Sequence, residues 1–128
     1  MQPAVRNATT AAKPFLKWAG GKTQLLEQLR ASYPQGLEDG GIKRYVEPFL
    51  GGGAVFLDVM QRSAVADAYL YDINPELIVA YTAVQRDPEG LIARLTEYRR
   101  QYLEKDDTGR TEFFYGRREH YNGQKAAM

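Results

Sequence analysis

Apolar residues recur along this chain at two spacings, one helical and one extended. Over residues 22 to 32, Leu25, Leu26 and Leu29 fall on one side of a helix, which Pro34 and Gly36 end. Leu37 to Gly41 reads as a loop, and Lys43 to Glu47 as a short strand with Tyr45 and Val46 inside. Three glycines follow, then a helix from Ala54 to Gln61 with Val55, Phe56 and Val59 apolar. Ala68 to Tyr71 is a second strand, closed by Asp72. Asn74 can cap the next helix, Pro75 suits its first position, and Glu76 complements the positive end of its dipole. Leu77, Ile78, Tyr81 and Val84 supply its buried face. After Asp87 and Pro88 a longer helix runs to Leu103, with Leu91, Leu95, Tyr98 and Tyr102 at helical spacing. Glu104 to Thr111 reads as a charged turn and residues 112 to 121 as a last helix. Helix, strand, helix, strand, helix implies an α/β chain with a parallel sheet and crossover helices.

Composition narrows the chemistry. A length of 128 residues suits one small domain or part of a larger one. With 44% hydrophobic residues, the segments must pack as layers to form a core. The absence of cysteine excludes disulfides and thiolate metal sites, and a single histidine, His120, argues against a histidine-based metal site. Lys and Arg number 17 against 16 acids, a balance that can hide a local basic patch. No apolar run approaches the roughly 20 residues that span a bilayer. Residues 1 to 13 read as a flexible N-terminal tail. They lack the apolar centre of a secretory signal, and although they carry Arg6 and no acid, a disordered leader is preferred to a transit peptide. A cytoplasmic protein with no metal and no membrane partner is expected.

The main chemical feature is Glu47-Pro48-Phe49-Leu50-Gly51-Gly52-Gly53, lying between a strand and a helix. Glycines there let the backbone turn sharply and let a ligand approach it, while the following helix aims free N–H groups at that ligand. Asp72, at the end of the second strand, can accept hydrogen bonds from ribose hydroxyls. Together they describe a pocket for an adenosine-containing ligand. The spacing does not choose between a dinucleotide and S-adenosylmethionine; the alternative is a plain tight turn with Asp72 as a cap. The strict Gly-x-Gly-x-x-Gly pattern fails, since Phe56 stands where the third glycine would fall. A second cluster, Phe15-Leu16-Lys17-Trp18-Ala19-Gly20-Gly21-Lys22-Thr23, ends like a phosphate-binding P-loop, but Leu16 occupies the place of its first glycine. Trp18 reads either as a core anchor or as a ligand contact. Lys22 begins a helix, where the dipole disfavours a cation, and a bound carboxylate would offset that cost.

The order Lys17-Trp18-Ala19-Gly20-Gly21-Lys22, then Glu47-Pro48-Phe49-Leu50-Gly51-Gly52-Gly53-Ala54-Val55-Phe56, then Asp72-Ile73-Asn74 resembles the opening motifs of Dam-type adenine-specific DNA methyltransferases. Phe114-Tyr115-Gly116-Arg117-Arg118-Glu119-His120-Tyr121-Asn122 is similar to an aromatic-x-x-Arg-x-x-aromatic-Asn helix of that family. The resemblance implies a doubly wound, Rossmann-like fold, with residues 14 to 110 binding S-adenosylmethionine and residues 111 to 128 starting a helical DNA-binding insertion. It implies methyl transfer to adenine N6 in double-stranded DNA. It assigns Trp18, Lys22, Phe49, Gly51, Gly52, Gly53, Asp72 and Ile73 to the cofactor, with Asp72 on the ribose and Ile73 beside the adenine ring. The family's catalytic Asp-Pro-Pro-Tyr run does not occur here, so no catalytic residue is assigned. The chain is therefore expected to be truncated before that motif and inactive alone, regaining activity only with a complementing downstream segment. A binding remnant without catalysis, or a P-loop nucleotide-binding protein, are the other readings.

Overall fold

The structure, a computed structural model, describes residues 11–127. The first ten residues of the expected tail, and Met128, lie outside the described residues. The chain gathers into two compact units, one up to Ala80 and one from Tyr81 onward.

In the first unit, a 3-10 turn over Lys22–Leu25 runs into a short helix α1, Leu26–Arg30. Strand β1, Arg44–Glu47, leads through the glycine loop into α2, Ala54–Arg62, and then into β2, Asp67–Leu70. The two strands pair in parallel, Arg44 opposite Asp67 and Glu47 opposite Leu70, so α2 is the expected crossover helix. The expected strands are present, β1 without Lys43 and β2 one residue earlier than its apolar run implied. Tyr71 still joins the ladder, donating its N–H to the Glu47 carbonyl at 2.8 Å.

The core is small. Leu37, Val59 and Val65 form its buried centre, with Tyr33, Ile42, Tyr45, Val55 and Met60 packed around them. Leu37 belongs to the turn-rich stretch expected to be a loop, yet it is 4% exposed. Val46, expected inside, is 55% exposed. The pleat explains the correction: side chains alternate, so when Tyr45 turns toward the core, Val46 must face the other way. On that opposite side Arg44 lies over the Tyr69 ring at 5.7 Å.

Helix α3, Pro75–Arg86, starts as its sequence promised. Asn74 accepts from the Glu76 N–H at 2.9 Å, and Leu77 is 1% exposed. The second unit is dominated by α4, Pro88–Leu103, and α5, Asp107–Ala126. Asp87 caps α4 through the Gly90 N–H at 2.9 Å. The charged turn expected over Glu104 to Thr111 is shorter than that, and the last helix longer. Asp106 caps α5 through the Gly109 N–H at 2.8 Å, and the helix starts there rather than at residue 112. Arg110 donates to the carbonyls of Tyr102 and Leu103 at the end of α4. No described helix is long and apolar enough to cross a membrane.

Candidate functional site

The carboxyl ends of β1 and β2 place the glycine loop beside the acid. Asp72 accepts from the Gly51 N–H at 2.8 Å with one oxygen and from the Asn74 N–H at 2.9 Å with the other. These N–H groups, Asn74 before Gly51, hold its carboxyl below the usual carboxylate range. A carboxylate has about four acceptor positions, so two backbone bonds leave room for ligand hydroxyls. Leu50 donates to the Tyr71 carbonyl at 3.0 Å, a second tie between the same two loops. Gly51 and Gly53 have φ of 54° and 81°, conformations that a side chain at either position would strain.

Trp18 sits on this loop. A side-chain carbon added at Gly51 would lie 3.7 Å from its ring, and one added at Gly52 would lie 3.5 Å from its Cβ. Lys22 reaches the loop from the start of the 3-10 turn. Its Nζ donates to the Phe49 carbonyl at 2.5 Å and to Glu47 Oε1 at 3.3 Å. The carboxylate that offsets a cation at this helix start therefore comes from the chain itself. An ammonium has three donors, and these contacts use two. The P-loop reading finds no support here, because β1 is the first strand among the described residues and Gly21-Lys22-Thr23 follows none.

Sequence reasoning gave Glu47 no role. It is 6% exposed and accepts from Lys22, from the Tyr45 hydroxyl at 2.5 Å and from the Phe49 N–H at 3.1 Å. Burial, then the bond to Glu47, hold the Tyr45 phenol far above its ordinary range, so it stays a donor. The overlooked signal was an acid closing the strand that feeds a glycine loop.

Asp58 was missed as well. It is also 6% exposed, in mid-α2. Arg30 holds it through Nε at 3.1 and 3.2 Å and through Nη2 at 2.6 Å, with the Tyr33 hydroxyl and Arg62 Nε each at 3.0 Å. Burial pushes the Asp58 carboxyl up, but bonds from Arg30, Arg62 and Tyr33 outweigh it and leave the group below its ordinary value. Burial, then the bond to Asp58, pushes the Tyr33 phenol up to about 12. Only the Asp58–Arg62 spacing of four residues hinted at this cluster.

Phe49 and Ile73 stand on the two joined loops, 73% and 100% exposed. Six of the eight expected ligand residues thus meet in pairs or small groups at the strand ends: Lys22 holds Phe49, Asp72 holds Gly51, and Trp18 lies against Gly51 and Gly52. Gly53 caps α2 in the same loop, and Ile73 follows Asp72. A cavity of about 1150 Å³ opens beside this cluster, its wall including Pro14, Trp18, Gly21, Arg30, Gly52 and Asp58. Of the expected residues it shares only Trp18 and Gly52. We therefore place the candidate site on the hydrogen-bonded cluster at the strand ends, with the cavity flanking it. No group of His, Cys, Asp or Glu among the described residues is arranged to hold a metal ion.

A family model described as D12 class N6 adenine-specific DNA methyltransferase matches residues 18–128. The type II methyltransferase M.MjaIII of Methanocaldococcus jannaschii is 43% identical over 113 residues, covering 88% of this chain and 39% of that protein. The type II methyltransferase M1.LlaDCHI of Lactococcus lactis is 38% identical over 89 residues, 70% of this chain and 28% of that one. The DNA adenine methylase of Haemophilus influenzae is 34% identical over 110 residues, 86% of this chain and 34% of that one. The chain thus spans between 28% and 39% of the length of these relatives. No solved structure matches it.

Proposed function

We propose a function from one premise: the chain belongs to the D12 class of N6 adenine-specific DNA methyltransferases. Its strand-end cluster binds S-adenosylmethionine for site-specific methyl transfer to adenine N6 in double-stranded DNA. A cytoplasmic location, and the completion of a Rossmann-like doubly wound fold around these two strands, belong to the same proposal. The observation that carries it is the Gly51–Asp72 bond, which fixes an acid beside a side-chain-free loop at the carboxyl edge of a parallel sheet.

The residues fit such a cofactor. Asp72 keeps acceptor capacity for the ribose hydroxyls. Ile73 leaves apolar surface in water that an adenine ring would cover, and Phe49 stands with the glycine turn beneath the amino-acid portion. Lys22 keeps one donor for a carboxylate at the amino-acid end. When bound, the cofactor supplies a methyl group made electrophilic by its sulfonium. No residue of this chain is assigned a catalytic role. Asp-Pro-Pro-Tyr, the run the resemblance names for holding the target amine, is absent from these 128 residues.

Calorimetric titration with S-adenosylhomocysteine, against ATP–magnesium, tests the reading. The chain should bind the first and not the second. Asp72→Ala should weaken binding more than about tenfold, as expected for loss of a charged acceptor. Because Asp72 also holds Gly51, Ile73→Ala is the sharper control. Its side chain is wholly exposed, so it should lower affinity without moving the melting temperature. Unchanged binding in both variants would reject the site.

A further inference from the structure

We propose that Asp58 is a positioning residue for the cofactor's amino-acid end, acting through the helical segment that carries both Arg30 and Lys22. The inference rests on the cofactor reading above. That segment, residues 22 to 30, buries no side chain in either its 3-10 turn or α1. Leu26 and Leu29 are only half-buried, so apolar packing holds the segment loosely and polar ties add to it.

There are two, one at each end. At the start, Lys22 Nζ binds the Phe49 carbonyl and Glu47. At the end, Arg30 grips Asp58 with Nε and Nη2. Phe49 and Asp58 are themselves joined by the glycine loop and the first turns of α2. The result is a closed frame with two covalent sides and two polar ones. A lysine stem is flexible enough to reach Phe49 from many backbone positions, so the first tie alone does not locate the ammonium. The planar, two-point grip of Arg30 on a buried carboxylate supplies the missing constraint. Trp18, just upstream of the segment, would shift with it across Gly51 and Gly52. Arg30, Asp58, Trp18 and Gly52 also share the wall of the cavity beside the site.

The test compares S-adenosylhomocysteine with adenosine, which lacks the amino-acid end, by calorimetry on the full chain. Asp58→Asn should weaken S-adenosylhomocysteine by about tenfold while adenosine changes by less than about twofold. In a Lys22→Met background, Asp58→Asn should add no further loss, because both act on one end of the ligand. Arg30→Lys keeps the charge without the planar grip, and it should fall between wild type and Arg30→Met. If Asp58→Asn unfolds, Arg30→Met at its partly exposed position is expected to give the same selective loss. Equal weakening of both ligands, or full additivity with Lys22→Met, would show that Asp58 serves the fold alone and overturn the proposal. A wild-type chain that binds neither ligand would reject the cofactor reading itself, a result distinct from unselective loss.

Discussion

Each of the two units is held together internally by its own means. Among the described residues, the buried core lies entirely up to Ala80, from Leu37 to Leu77, together with two buried acids, Glu47 and Asp58. The α4–α5 hairpin buries no residue in either helix. Its contacts are rings and cations. Phe113 meets Tyr98 and Tyr102 edge-on at 6.4 and 6.3 Å. Arg117 lies over both Tyr98 and Phe113, and Arg110 over Tyr102. A core removes apolar area from water in a close-packed space, where a missing methylene leaves a void. Stacked arginines keep their heads in water and lose little when one is removed. The first unit should thus respond sharply to single changes, and the second in small steps.

Core truncation gives the largest expected contrast. Leu37→Ala should destabilise the first unit by about 2–5 kcal/mol, the usual range for a buried leucine. Leu95→Ala, at a residue 56% exposed, should stay within about 0.5 kcal/mol. Chemical denaturation followed separately in each unit would measure both, and comparable losses would erase the distinction. Much of this was legible in the chain: apolar periodicity placed Val59 and Leu77 on buried helix faces. Leu37 was not legible, because a leucine among Gly, Glu and Asp carries no period.

Removal of the buried acid ranks next. Asp58 is held below its ordinary value, so its contribution is complete above the ordinary carboxylate range and fades as pH falls through the lowered one. Acid unfolding of the first unit should therefore become shallower in Asp58→Asn. A transition of unchanged steepness would remove Asp58 as a source of acid sensitivity.

In the hairpin, Arg117→Met removes two ring contacts. An exposed cation–π contact contributes about 0.5–1 kcal/mol, so the melting shift should be well below that of Leu37→Ala. A shift as large would show that this arginine, and not the aromatic edges, organises the pair of helices.

The smallest effect concerns the surface. Arg100 binds Glu97 at 2.7 Å and Glu104 at 2.6 Å. Arg100, then Gln101, lower the Glu97 carboxyl from 4.5 to about 2. Its contribution is thus present above pH 4.5 and lost as pH falls through about 2. Exposed pairs are weak and screened by salt. Amide protection factors in α4, corrected for the intrinsic pH dependence of exchange, should fall slightly at low pH, less so in high salt, and Glu97→Gln should abolish the pH step.

By itself, the sequence determined the local parts. Asn74, Asp87 and Asp106 cap helices because a short polar side chain can reach an N–H two or three residues on, a purely local act. The glycine loop, the acid at the end of the second strand and the parallel pairing of the strands are local or near-local too. The glycine loop and Asp72 were legible for the same reason, since their order along the chain matches the order around a strand-loop-helix turn. Only the tertiary structure decided which partners these residues take. Lys22 meets Glu47 across 25 positions, and Arg30 meets Asp58 across 28. Nothing in chain spacing encodes those meetings. They arise because a parallel pair with one crossover helix brings the segment before β1 against the helix after it. Once both acids are buried there, the cost of leaving a carboxylate unpaired selects the cations that reach them.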